Sequence, residues 1–579
     1  MGRYNLLKEK WISVSVDNKG YSEDVSLIEV FENADKYLDL AGDTKTQDFA
    51  VMRVLLAVLH TVFSRFDANG DPYPEVKLDD RYRQIDPIED EDERLDYNDQ
   101  LFETWKNLWN KGSFPNIVTD YLEKWEDHFN LFDEKYPFYQ VLYEDISGEE
   151  KLKSQVGRDR LISTPSKIAI KHINRRISES ENKEFLFSPK SRENKDKLSY
   201  SELARWLIAF QAYADLSDKT IFRMDKYDTN NGWISELGGV YFKGKNLFES
   251  LMLNLVLDIT KLNNGKENNI QRPCWEYSGL ENINRSLRGI NPDNLSELYT
   301  NWAKALYINT ELEAEEGVLY LNAVHLRGLD EINYFLEPMT IWNTKNKKDN
   351  LYSPKKHEKN QALWRSSGIL VTDKSEDDFK KYKKPGIMFW FENISEEVEI
   401  NNLTINSISM KNKKDSSKIP VDEIYDCMNT RQFILTDLEK GNWTPRINDQ
   451  VELTKKVIET DYKRFLGDLA FIRNNEGGGF VNKNIERMYF LIDGPFRDWL
   501  SSIKYDQDKE DKLIEWKKVL YKLVLGEAYR ISENSSPRDY MGRVEERKGR
   551  KAGRLENLAT AFNRFNSSII SDLDLGDKR

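Results

Sequence analysis

Beyond residue 450 the apolar residues recur only at helical spacing, and this limits the possible folds more than any other feature of the chain. The first of four segments uses Leu453, Val457, Phe465 and Leu469. The second uses Ile485, Tyr489, Ile492, Phe496 and Trp499, with Gly494-Pro495 expected to kink or break it. The third uses Leu513, Trp516, Leu520 and Leu523, and the fourth runs through Val544, Leu555, Leu558, Phe562 and Phe565. Amphipathic helices bury their stripes against one another or against a larger body, so a four-helix bundle over 451–579 is the economical arrangement.

The rest of the chain has mixed character. Ile12, Val14 and Val16 alternate with serines before Asp17-Asn18-Lys19-Gly20, which reads as a hairpin. Thr44 with Gln47 fits a capping box ahead of a helix carrying Phe49, Met52, Leu55, Leu59, Val62 and Phe66. Residues 75–99 are acidic and read as a surface loop. Two aromatic-rich helices follow, with Phe102, Trp105 and Trp109 on the first and Tyr121, Trp125 and Phe129 on the second. Ser199 with Glu202 caps a helix through Leu203, Trp206, Leu207 and Phe210, and 247–257 is apolar nearly all round. Between about 262 and 450, Val318–Leu321 and Ile387–Phe391 read as short strands among polar loops. The expected fold is therefore α+β: a large mixed globular domain over 1–450, then the bundle over 451–579. A chain of 579 residues is in any case too long for one core.

Charge and cysteine content narrow the function. The net charge of −13 excludes a uniformly basic nucleic-acid coat but leaves local patches open. Two cysteines, Cys274 and Cys427, exclude a disulfide framework and a Cys-rich metal site. The start of the chain has no secretory pattern and no apolar run spans a membrane, so a cytoplasmic protein is expected. The five histidines stand at no metal-ligand spacing, and His60 reads as a side chain on a packed helix. There is no HExxH, Walker lysine loop or GxSxG. Asp71 and Glu75 form the one nuclease-like string, but two prolines separate them and nothing predicts the paired strands a metal-dependent nuclease needs. Gly477–Gly479 reads as a helix–helix connection. No catalytic residue, metal or cofactor is expected.

The positive signal is a set of basic segments on an acidic chain. Residues 151–176 carry Lys151, Lys153, Arg158, Arg160, Lys167, Lys171, Arg175 and Arg176 against Asp159, a local charge of +7. Either a polyanion or plain solvation explains this stretch; solubility alone also accounts for lysine-rich 345–359 and 411–418. The fourth helical segment adds Arg538, Arg543, Arg547, Lys548, Arg550, Lys551 and Arg554, partly offset by Glu545 and Glu546. Leu237-Gly238-Gly239-Val240 reads either as a turn before the 247–257 helix or as bare backbone able to approach a groove floor.

In order along the chain stand NLLKEKWISV from Asn5, YPFYQ from Tyr136, LSYSELARWLIAFQAYA from Leu198 and GGVYFKGKNLFESLMLNLV from Gly238. CWEY from Cys274, LYTNWAKALY from Leu298, EPMTIW from Glu337 and LWRSSG from Leu363 continue the series, and the terminal helices complete it. Over essentially its whole length this order resembles the CasA/Cse1 family, the large subunit of the type I-E CRISPR Cascade complex. The resemblance implies a non-catalytic subunit that recognises the protospacer-adjacent motif in duplex DNA, opens the duplex and recruits the effector helicase-nuclease. Its implied partners are the DNA target and the crRNA-containing complex of other Cascade subunits, with no membrane.

The resemblance also implies where each part falls. The glycine loop falls on Gly238 and Gly239, and a lysine contact on Lys355 and Lys356. The wedge hairpin falls on Lys411, Asn412, Lys413 and Lys414, where some members carry a glutamine. The loop at the crRNA end falls within 151–176, on Arg158, Arg160, Lys167, Lys171, Arg175 and Arg176. A basic bundle face on Arg543, Arg547, Lys548, Arg550, Lys551 and Arg554 would hold duplex nonspecifically. The four-cysteine cluster of some members cannot form from two distant cysteines. Two other readings predict different behaviour: a metal-dependent nuclease built on dispersed carboxylates, and a purely structural assembly subunit.

Overall fold

The computed structural model describes residues 4–147, 161–162, 165–170, 173–174, 197–214, 220–223, 227–229, 231–260, 269–309, 320–332, 334, 336–346, 351–366, 368, 370, 382–400, 403–412, 420–439, 441–475, 478–545 and 554–575. The fold is α+β, and its contacts divide it into two units. The first comprises 1–357, 373–399 and 403–426; the second comprises 358–372, 400–402 and 427–579. The position 450 lies inside a helix, Trp443–Lys456, of the second unit.

The first unit is organised around the helix Lys45–Phe63, which is buried from Thr46 onward. Its start is fixed by side chains: Thr44 accepts from the Gln47 amide, Gln47 Oε1 accepts from the Asp43 amide, and Asp48 Oδ1 accepts from the Gly42 amide. Among the described residues this is the one helix long and apolar enough to cross a membrane, and it is wholly enclosed by the fold. It carries the buried Arg53, and a second buried arginine, Arg65, follows just past its end. Arg53 pairs with Glu337 at 2.8 Å and Arg65 with Glu276 at 2.8 Å, all four side chains fully buried. A buried charge is tolerated only when paired and hydrogen-bonded. Glu337 meets that condition, accepting also from Trp233 Nε1 and the Met339 amide.

Around this helix pack short antiparallel sheets. Ile12–Ser15 lies between Ser22–Val25 and Asp39–Leu40. Tyr320–His325 lies between Ser166–Ala169 and Lys304–Asn309, and Trp342–Asn346 between Leu351–Pro354 and Tyr382–Lys383. The strand Leu403–Asn412 is hydrogen-bonded to Gly239–Lys243 on one side and Pro420–Thr430 on the other.

Several sequence expectations need correction. The acidic stretch is loop only to Asp90, which caps the helix Glu91–Lys111 by accepting from the Asp92 and Glu93 amides; acidic side chains favour a helix N-terminus. Ile387–Phe391 is helical, within Gly386–Ser395, and buries Ile387, Met388, Trp390, Phe391 and Ile394 on one stripe. Gly239 begins a strand rather than completing a turn.

In the second unit the long helices are Trp443–Lys456 continuing through a π-helical turn, Val457–Tyr462, into Lys463–Ile472, then Gly479–Ser502, Lys509–Glu533 and Leu558–Asp572. Pro495 does not break its helix. The buried stripe Ile492, Phe496, Trp499 and Leu500 continues across it, and Phe496 packs edge-on to Trp516 at 5.0 Å. Val544 and Leu555 are not helical. They are cross-strand partners in a hairpin of Arg543–Glu545 with Arg554–Glu556, and the last helix starts only at Leu558, capped by Asn557. Residues 358–372 belong to this unit: Trp364 stacks on Phe496 at 4.3 Å and donates to Asp493 Oδ1 at 2.9 Å.

Candidate nucleic-acid interface

Gly238 and Gly239 are buried, and each is glycine because another part of the chain lies against it. A Cβ on Gly238 would collide with the Lys355 carbonyl oxygen and lie 3.1 Å from Lys356 Cα. A Cβ on Gly239 would lie 2.8 Å from Ile408 Cγ2 and 2.9 Å from Phe49 Cε1. Neither residue has a positive φ, so close approach rather than backbone conformation excludes a side chain. Their carbonyls are engaged: Gly238 O accepts from Thr340 Oγ1 at 3.1 Å, and Gly239 O from His357 Nε2 at 2.9 Å.

The lysine pair lies directly over these glycines. Past the strand Leu351–Pro354, the Lys355 amide donates to Ile341 O at 2.8 Å. Lys355 Nζ stands 5.9 Å from the Tyr382 ring centroid, and Lys356 Nζ pairs with Glu236 Oε2 at 3.3 Å. The Lys356 side chain keeps about a third of its surface exposed, so the pair is weak and open to competition from a phosphate.

The strand Leu403–Asn412 brings the third part to the same place. It is buried from Ile405 to Met410 and emerges at Lys411, which is exposed. Asn412 Nδ2 donates to Ser235 Oγ at 3.2 Å, three residues before Gly238. Ser409 Oγ donates to Leu237 O and accepts from the His357 amide, both at 3.0 Å. The glycine, lysine and hairpin residues, far apart in sequence, thus form one cluster. The base is fixed by the buried Arg53–Glu337 pair, because Glu337 holds the Met339 amide and the Val240 amide in turn donates to Met339 O at 2.9 Å.

Burial pushes the His357 imidazole down to about 4; the Gly239 carbonyl and Asp426 oppose the shift and Lys355 adds to it. The ring is therefore neutral at physiological pH. Since Gly239 O can only accept, Nε2 carries the proton.

The other sequence candidates fall elsewhere. Lys167 is exposed on Ser166–Ala169, its Nζ 4.0 Å from the Tyr320 ring centroid. Arg158, Arg160, Lys171, Arg175 and Arg176 lie outside the described residues, as do Lys413, Lys414, Arg547, Lys548, Arg550 and Lys551. The two described members of the bundle's basic set are used within the chain. Arg543 donates to Phe471 O and Asn474 Oδ1 at the end of the Lys463–Ile472 helix, and Arg554 pairs with Glu556 at 3.0 Å. These two arginines answer helix-end carbonyls and a buried carboxylate, while the Arg554 side chain keeps about half of its surface exposed.

Asp71 sits in a turn, its amide donating to Asp67 Oδ1, and Glu75 Oε1 accepts from Gln100. Among the described residues no three His, Cys, Asp or Glu side chains are grouped to hold a metal. Sequence reasoning missed Glu236, Thr340, His357 and Ser409. Their one visible signal was position: each lies within a few residues of a segment already singled out.

A family model described as CRISPR-associated protein Cse1 matches residues 5–526. A CRISPR-associated protein CasA/Cse1 of Thermus thermophilus is 27% identical over 255 residues, a match spanning 44% of this chain and 40% of that relative's own length. The crystal structure of Thermobifida fusca Cse1 is similar across 99% of both chains, with a TM-score of 0.76 and 21% identity. A chain of a CRISPR RNA-guided surveillance complex is similar over 98% of this chain and 100% of its own, with a TM-score of 0.66 and 13% identity.

Proposed function

The chain belongs to the CRISPR-associated protein Cse1 family, and from that premise we propose that it is the large, non-catalytic subunit of a Cascade-type RNA-guided surveillance complex. In this role it recognises the protospacer-adjacent motif in duplex DNA, promotes strand opening and takes part in recruiting the helicase-nuclease. What carries the reading is the convergence of Gly238-Gly239, Lys355-Lys356 and Lys411-Asn412 on one cluster.

The chemistry suits a short, degenerate motif. The minor groove presents acceptors at every base pair and adds only the guanine amino group, so a few donors read it. Lysine ammonium groups and the Asn412 amide supply donors. The buried glycines supply no side chain and let the lysine-bearing segment lie close. Opening the duplex beyond the motif costs about 1.4 kcal/mol per base-pair step, returned by guide pairing and backbone contacts. The subunit then needs no hydrolytic centre of its own.

The test is a salt-titrated binding assay of the reconstituted complex, with and without this chain, on duplexes differing only in the flanking motif. Lys355→Ala, Lys356→Ala and Lys411→Ala should each weaken duplex binding, and each lost phosphate contact should lower the magnitude of the logarithmic salt slope by about 1. Replacing Lys413 and Lys414 with alanine should slow R-loop formation. Unchanged binding and R-loop rates in all of these variants would refute the reading.

A further inference from the structure

The three converging segments are held together by a small set of hydrogen bonds centred on residues with no charge to offer DNA. Ser409 Oγ accepts from the His357 amide and donates to Leu237 O, while His357 Nε2 donates to Gly239 O. One histidine thereby grips the glycine strand through its ring and the Leu403–Asn412 strand through its backbone. It immediately follows Lys356, whose Nζ reaches Glu236 on the same glycine-bearing segment.

We propose that His357 is the positioning residue that sets the register of Lys355 and Lys356 against Gly238-Gly239, and so sets discrimination between motifs; the inference rests on the functional reading above. Discrimination among base pairs in a groove needs donors held within a fraction of an ångström. Lys356 hangs from backbone beyond the end of the Leu351–Pro354 strand. On the His357 side that backbone is tied by the ring and by Ser409. The charged groups acting on the ring are Lys355 and Asp426; Glu236 faces Lys356. Being neutral, the ring adds no cation and exerts its effect through a directed bond.

The experiment measures dissociation constants of the reconstituted complex for motif-containing duplex and for duplex with a scrambled flank. His357→Leu removes the donor, and His357→Gln restores one at the Nε2 position. The expected result is that His357→Leu lowers the motif-to-scrambled ratio about 10-fold, the worth of one hydrogen bond of about 1.4 kcal/mol. His357→Gln should recover the ratio to within about 2-fold, and Ser409→Ala should lower it in the same direction as His357→Leu. If the Leu and Gln variants fall together, side-chain bulk rather than the donor matters and the inference is overturned. It is also overturned if His357→Leu leaves the ratio intact while Lys356→Ala lowers it, an outcome that spares the functional reading. If neither His357→Leu nor the lysine variants change binding to either duplex, the functional reading itself fails and takes the inference with it.

Discussion

Lowering the pH from 7.5 to 5 probes the burial of His60 on the central helix. Its imidazole is enclosed, edge-on to Tyr299 at 5.6 Å, and burial together with the Arg53 guanidinium pushes it from the ordinary 6.5 down to about 3. The unfolded chain takes up the proton that the folded chain refuses, so stability from this group is full above pH 6.5 and falls away as the pH drops towards 3. At pH 5 the loss is about 1.5 decades, roughly 30-fold or about 2 kcal/mol. Asp48 on the same helix works in the opposite sense. Burial raises its carboxyl to about 6, so its ionisation penalty is relieved as the pH falls through that value. The wild-type profile therefore mixes both signs, and the informative quantity is a difference between proteins. In hydrogen exchange of amides across Lys45–Phe63, corrected for intrinsic rates, His60→Leu should lose about 30-fold less protection than the wild type between the two pH values. Equal losses within about 3-fold would mean that His60 titrates normally in the folded state, and the reasoning from its burial would be wrong.

The remaining predictions concern a buried ion pair and a helical proline. Glu337→Gln strands the Arg53 guanidinium in a fully buried site and should cost about 3–5 kcal/mol, read as faster exchange across Lys45–Phe63; adding Arg53→Met should recover much of it, and a cost below about 1 kcal/mol for the single change would contradict the pairing. Pro495→Ala restores an amide inside Gly479–Ser502, and should stabilise that helix by about 1–3 kcal/mol in local exchange; destabilisation would mean the helix needs the distortion a proline imposes.

Local pattern carried much of the fold. The Ser199–Glu202 capping box is formed as read, and of the apolar residues read as helical stripes Val457, Phe465, Leu469, Ile492, Phe496, Trp499, Leu513, Trp516, Leu520, Leu558 and Phe565 are buried on helices. Ile387–Phe391 misled because five successive apolar residues suit a strand or a buried helix equally. The deciding residue was Ile394, one turn further on and buried on the same stripe. Val544 and Leu555 misled differently: their apparent continuity with Leu558 is broken by Asn557, a capping residue whose extended backbone starts the helix afresh.

For the candidate interface, the glycines, lysines and Asn412 stand out in the sequence, but their assembly does not. Ser409 meets Leu237 from 172 positions away, and Gly239 meets His357 from 118. No local periodicity encodes such partners. A histidine between two lysines and a glutamate also looks like ordinary surface sequence, whereas its half-buried place follows from the strands packed around it.

The excursion of residues 358–372 decides how this protein can be taken apart. A fragment begun at 427 or 451 would lack the Trp364 indole, leaving one face of Phe496 bare and Asp493 held by Arg497 alone. Losing a large buried aromatic costs about 3–5 kcal/mol, a substantial part of what a small helical unit has to spare. The terminal helices are thus completed by a stretch translated well before them. Expressed alone, they call for that stretch as an added peptide or a grafted leader, and its rebinding offers a direct optical signal through tryptophan fluorescence.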